Sequence, residues 1–153
     1  MHETSGRGIR STREGIDMNV TVSDRGEGRF EIRSREAVVH VDLLPENGGA
    51  EDGFRSVELF LAGLGACTAG TLRAYAVNHG VAGFEGVDVT VRSEEAAAPE
   101  RVGRIELEVT IRGDVAAEDA ERLLAVGGRC KVHNTLHRPP TIDATIAVER
   151  SLA

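Results

Sequence analysis

The segment from Ser56 to Gly80 constrains the fold most. It is the longest apolar stretch of the chain, and Cys67, one of only two cysteines, lies at its middle. Wound at helical period, it presents two stripes. Gly63, Ala66, Cys67, Gly70 and Ala74 make a stripe of small side chains. Leu61, Leu64, Thr68, Leu72 and Tyr75 make a bulkier one about half a turn away. A glycine inside a helix costs about 1 kcal/mol relative to alanine. Gly63, Gly65 and Gly70 therefore predict that something packs very close to this helix. Ser56 suits a helix start, Glu58 suits the first turn, and Gly80 suits the C-terminal stop. A helix of about 22 residues spans about 33 Å, the width of a small domain.

Elements on either side read as strands with two further short helices. Met18–Ser23, the run through Phe30 and Ile32, and the run Val39, Val41, Leu43 alternate apolar with polar residues. They predict a three-stranded antiparallel meander. The runs Val87, Val89, Val91 and Ile105, Leu107, Val109, Ile111 predict a hairpin, with Ser93–Glu100 as its turn. Ala116–Val126 predicts an amphipathic helix with Ala120, Leu123 and Leu124 inward. Gly127-Gly128 breaks that helix, and Cys130–His137 resumes as a short one. Ile142, Ile146 and Val148 suggest a last strand. The order β-β-β-α-β-β-α-α-β, with strands in hairpin-like runs, predicts an α+β fold with mainly antiparallel sheet. Residues 1–15 read as a flexible tail and 16–153 as one domain.

Composition removes several functions. The net charge is −7, and the aromatics are four Phe, one Tyr and no Trp. Neither phosphate-backbone binding nor base stacking is expected, so nucleic acid is not a predicted partner. The polar N-terminus lacks the apolar core of a signal peptide, and no apolar run is long enough to span a membrane. The expected location is the cytoplasm. In a reducing compartment two cysteines are not a structural framework.

The cysteines carry the chemistry. Cys67 alone could be a small buried core residue. Cys130 lies 63 positions later, at a predicted helix start and flanked by Arg129 and Lys131. That setting favours a thiolate. Two such thiols could form a peroxidatic and resolving pair, passing through a sulfenic acid to a disulfide. A competing pattern shares the segment. Cys130, His133 and His137 fall at i, i+3 and i+7, a spacing that a zinc ion would accept given one more ligand. The plain alternative is that both histidines face solvent or a polar network, and no metal site is predicted. His79 reads as a helix-end residue.

Two segments resemble the motifs of the OsmC/Ohr family. Ser56–Thr68 (SVELFLAGLGACT) is similar to its central-helix motif. Cys130–Leu136 (CKVHNTL) is similar to its second motif, usually Cys-Pro-Val-x-Asn-Thr-Leu. The resemblance covers about residues 18–150. It implies an intertwined homodimer whose sheets draw strands from both subunits around two long central helices. The small stripe would then be a helix–helix contact. It implies a thiol-dependent peroxidase in which Cys67 attacks an organic hydroperoxide and Cys130 resolves the product as a disulfide. An external dithiol of the dihydrolipoamide type would reduce the pair, and no bound cofactor is implied. It also implies a thiolate-stabilising arginine, for which Arg25 and Arg29 in the N-terminal turn are the candidates, with Arg55 just before the helix a further one, and a positioning carboxylate, for which Glu58 is the candidate. The chain departs from the family pattern in three places. Peroxidase branches carry a Pro-Glu pair whose glutamate falls ten residues before the first cysteine, where this chain has Val57. Lys131 replaces the proline after the second cysteine, and the arginine has no unique match. A non-catalytic OsmC-like protein that senses redox state or binds a small apolar ligand is the alternative.

Overall fold

The computed structural model describes residues 18–151. The expected tail, residues 1–15, lies outside the described residues. The chain divides into two compact units, with the boundary between Ser56 and Val57.

The first unit is the predicted meander. Strands β1 (Thr21–Asp24), β2 (Arg29–Ser34) and β3 (Ala37–Asp42) pair antiparallel in the order β1-β2-β3. Val22 faces Ile32, and Ile32 in turn faces Val39. The first turn closes because the Gly26 amide donates to Asp24 Oδ1 at 2.8 Å, the local bond that makes aspartate a turn residue. Gly28 in this turn has φ +67°, and a Cβ there would lie 2.8 Å from the backbone of Gly48 and Gly49. Only glycine meets both demands. The following loop contains a short 3₁₀ turn (Pro45–Asn47) and returns to β3, where Phe54 bridges Val41 in parallel.

The second unit is built on helix α1 (Ser56–Asn78), whose bounds match the expectation within the usual uncertainty at helix ends. Gly80 follows with φ +60°. Strands β4 (Phe84–Ala96) and β5 (Arg101–Gly113) form one long antiparallel hairpin. Val87, Val89 and Val91 sit opposite Ile111, Val109 and Leu107. The predicted turn at Ser93–Glu100 is shorter than expected. Ser93–Ala96 continues the ladder, so chain reversal is confined to residues 97–100. Helices α2 (Ala117–Gly127) and α3 (Lys131–His137) complete the unit.

Leu64, Thr68, Leu72 and Ala76 are the buried face of α1, four residues apart along one side. Leu72, Ala76 and Leu123 form the core cluster, with Val87, Val109 and Ile111 packed against it. The close approach predicted from glycines occurs at Gly65, where a Cβ would stand 3.0 Å from Val91 Cγ2. Gly63 and Gly70 have nothing within 4 Å of such a Cβ. The small stripe is thus an exposed face of the chain, and the bulky stripe is the packed one.

Two expectations are corrected. Leu124, expected inward, is 63% exposed, because the 100° step from Leu123 carries it off the face that meets α1. No final strand forms: residues 138–151 have no regular structure, and Ile142 and Ile146 are at least 90% exposed. Alternation marks a strand only where an edge is there to pair with it.

Leu72 is fully buried in this core. Leu72→Ala is expected to lower the unfolding free energy by about 3 kcal/mol, read as a drop in the urea midpoint.

Candidate thiol site

Cys130 stands at the N-cap of α3 with extended backbone angles, φ −65° and ψ 155°. Its side chain occupies the place where serine or aspartate would accept the first free amides of a helix. The His133 amide donates to Cys130 Sγ at 3.3 Å, and the Val132 amide also reaches the sulfur. The Gly127-Gly128 break makes this possible. Helix α2 ends there, and the chain turns with the Cys130 amide on the Gly127 carbonyl at 3.4 Å. Gly127 itself is buried, and a Cβ on it would press on Leu72 and Thr68 at 3.3 and 3.4 Å.

Helix α1 supplies the other side of the site. Thr68 is 3% exposed, and its Oγ1 lies 3.7 Å from Cys130 Sγ. Cys67 precedes it, half-buried, with its side chain near enough to help lower the Cys130 thiol. Both cysteines are free thiols. The two residues singled out from sequence are therefore brought together across 63 positions. Thr71 Oγ1 donates to the Cys67 carbonyl at 2.8 Å, a bond to the preceding turn that holds the helix at this point.

The electrostatics are asymmetric. Burial pushes the Cys130 thiol up. Hydrogen bonds from the His133 amide, Thr68, Cys67 and the Val132 amide more than offset this and hold it below the ordinary thiol range. Amides and a hydroxyl dominate the shift. The flanking Arg129 and Lys131, expected to supply positive field, are both exposed.

Further candidates from the sequence are Glu58, Arg25 and Arg29. Glu58 is exposed, near a groove of about 390 Å³ that Leu61, Gly65, Ala66, Val89 and Val91 also line. Nine helical residues separate it from Cys67, which puts it about 13 Å along the axis and half a turn round. Arg25 and Arg29 belong to the first unit. Arg25 pairs with Glu31 at 2.8 Å, and its partner carboxylate, held by Arg33 and Arg25, titrates at about 2. Arg29 donates through Nε to Asp42 at 2.9 Å and through a terminal nitrogen to Asp52. Asp42, with its side chain inaccessible, also accepts the Gly53 amide at 2.8 Å. Sequence reasoning missed Asp42, and Thr68 was seen only as one member of a stripe. The signal for Asp42 was a charged residue closing an apolar alternation.

His133 and His137 stack on each other, ring centroids 4.7 Å apart. Among the described residues no three histidine, cysteine or acidic side chains converge as a metal site would require. His79 fulfils its helix-end expectation: Nδ1 lies 3.0 Å from the Tyr75 carbonyl and its ring stacks on Tyr75.

Two cavities are lined by His133, whose amide donates to the Cys130 sulfur. One of about 150 Å³ is lined by Thr68, Leu107, Val109, Leu124, Gly127 and His133. The other, of about 350 Å³, lies among Phe60, Leu64, Ile105, Leu107, His133 and Leu136. Leu107 and His133 are common to both. Among the described residues no helix is long and apolar enough to cross a membrane.

A long helix against an antiparallel hairpin, with one thiol on that helix and another at a helix N-cap, defines a class of two-cysteine α+β proteins. The sequence profile described as OsmC-like protein matches residues 48–145, and the chain belongs to that family. Solved structures agree in fold. An OsmC like protein from Mycoplasma pneumoniae is 20% identical, with a TM-score of 0.70 over 79% of this chain and 87% of that one. An organic hydroperoxide resistance protein from Elizabethkingia anophelis is 19% identical, with a TM-score of 0.66 over 84% and 93%. The organic hydroperoxide resistance protein OsmC from Legionella pneumophila is 20% identical, with a TM-score of 0.55 over 83% and 91%. No curated protein matches the sequence significantly.

The Arg29 guanidinium, helped by the Gly53 amide, holds Asp42 below the ordinary aspartate range against the effect of burial. A depressed folded-state value means stability that is present above the unfolded value, near 3.9, and lost as pH falls through the folded one. Asp42→Asn is expected to unfold at lower urea than the parent at pH 7. The gap in midpoints should close as the pH is taken down below about 4.

Proposed function

We propose that this protein is a thiol-dependent peroxidase acting on organic hydroperoxides in defence against peroxide stress. The observation that carries the reading is the nearness of the two thiols, with hydrogen-bond donors gathered on the Cys130 sulfur. Relatives of the same fold that bear the name organic hydroperoxide resistance protein support it.

Cys67, the more accessible sulfur, is the nucleophile in this proposal. Its thiolate attacks the distal peroxide oxygen. The S–O bond forms, the O–O bond breaks, and the alkoxide takes a proton to leave as an alcohol. The sulfur is now a sulfenic acid, oxidised by two electrons. Cys130, buried and with donors on its sulfur that favour the thiolate, attacks the Cys67 sulfur once it has lost its proton. The S–S bond forms, and hydroxide leaves and is protonated to water. An external dithiol then reduces the disulfide by two exchange steps, becoming a cyclic disulfide itself. The chain's own groups need no bound cofactor for these steps. Leu64, Leu107, Val109 and Leu136 in these cavities support an organic substituent, and Arg104 and His137 give the larger one a polar side.

The working form in this proposal is a cytoplasmic homodimer. The exposed small face at Gly63, Ala66, Gly70 and Ala74 and the exposed Ile142, Ile146 and Val148 support it. Apolar groups left this open are what a second copy would cover. Sedimentation equilibrium is expected to give twice the mass of the chain, and a monomer at micromolar concentration would exclude this form.

With cumene hydroperoxide and excess dihydrolipoamide, Cys67→Ser is expected to lose turnover by at least 10³-fold, the scale on which removal of a nucleophile acts. Cys130→Ser should still consume one equivalent of peroxide and accumulate a dimedone-reactive sulfenic acid. Full dithiol-dependent turnover in Cys67→Ser would refute the assignment. A disulfide that forms without any turnover would favour the non-catalytic redox-sensing alternative.

A further inference from the structure

Thr68 is one of the groups gathered on the Cys130 sulfur, and its position is unusual. It is one of two buried polar or charged residues among the described residues, 3% exposed, and lies one position after Cys67. A buried hydroxyl needs a partner. Helical threonine commonly finds one in the carbonyl a turn back, as Thr71 and Thr135 do here with Cys67 and Lys131. Thr68 instead places Oγ1 3.7 Å from Cys130 Sγ.

The rotamer is enforced from the other side. Thr68 Cγ2 faces Gly127, where a Cβ would come within 3.4 Å of it. The methyl group thus fills the space left by the missing side chain at the α2–α3 break. With the methyl held there, the hydroxyl is turned to the sulfur. Cys130 is in turn fixed by the His133 amide, so its sulfur is held between two elements, α1 and α3. Either atom of the Thr68–Cys130 pair can donate while Cys130 is a thiol. Once Cys130 is ionised only the hydroxyl has a proton to give.

We propose that Thr68 is a positioning residue for the resolving step: its hydroxyl donates to the Cys130 thiolate and holds that sulfur against Cys67. This rests on the peroxidase reading for its consequence and on the thiol geometry alone for its existence. No new bond is formed or broken by Thr68. It supplies a hydrogen bond to the attacking thiolate and keeps its proton throughout. Lowering of the Cys130 thiol by this bond is consistent with the role.

The test separates the two levels. Thr68→Val keeps the shape and removes only the hydroxyl, and Thr68→Ser restores the hydroxyl and removes only the methyl. In a Cys67→Ser background, thiolate absorbance at 240 nm reports the Cys130 midpoint without any peroxide. Thr68→Val is expected to raise that midpoint by about one pH unit, a tenfold loss of thiolate below it. Thr68→Ser should stay close to the parent. With Cys67 present, stopped-flow closure of the disulfide after one equivalent of cumene hydroperoxide should slow about tenfold at neutral pH in Thr68→Val and recover in Thr68→Ser. An unchanged Cys130 midpoint in Thr68→Val overturns the role of Thr68, whatever the peroxide does. A shifted midpoint in a protein that forms no sulfenic acid with peroxide upholds Thr68 and overturns the peroxidase reading.

Discussion

The N-cap of a seven-residue helix is the constraint on which the site depends. A helix start leaves amides without partners, and here a cysteine sulfur accepts one of them, from His133. An acceptor at that place gains from being negative. The local fold therefore favours the ionised form of Cys130 before any substrate is considered, and it does so in a position that is only 2% exposed. Burial and ionisation normally oppose each other. Donors aimed at one atom are what reconcile them.

The rest of the second unit serves that arrangement. Two glycines in succession end α2 and let α3 begin at Cys130 within three residues. The absence of a side chain on Gly127 lets α1 approach, so Leu72 and Thr68 lie against its bare Cα. Leu123 and Leu72, both fully buried, fix the distance between α2 and α1. The β4–β5 hairpin supplies the apolar floor under the same helix through Val87, Val109 and Ile111. Each of these contacts is ordinary packing. Together they set one thiol on a long rigid helix beside another at a helix cap.

Much of this was legible in the sequence. The α1 bounds, the meander, the hairpin and the break before Cys130 all follow from periodicity and glycine placement. The suggestion that two thiols could pair came instead from the setting of Cys130 at a helix start and from the family resemblance. What was not legible has physical causes. Which stripe of α1 faces inward cannot be read from side-chain size alone, because both stripes are apolar. The structure settles it in favour of Leu64, Thr68 and Leu72, with the small stripe outside. The Cys130 shift was expected from the helix start and from the flanking Arg129 and Lys131; the amides of the helix start do lower it, joined by the Thr68 hydroxyl, which no local pattern announced. Asp42 and its clasp by Arg29 depend on a loop returning to β3, and no local pattern encodes that return. The last strand failed for the same reason: alternation at Ile142–Val148 specifies a face but not a partner.

The central claim is that Cys67 and Cys130 act as one redox unit within a chain. Peptide mapping by mass spectrometry after one equivalent of organic hydroperoxide tests it most directly. The account predicts loss of both free thiols and a Cys67–Cys130 crosslinked peptide from a single chain, reversed by a dithiol. Recovery of Cys67 oxidised alone, with Cys130 still free at completion, would contradict it.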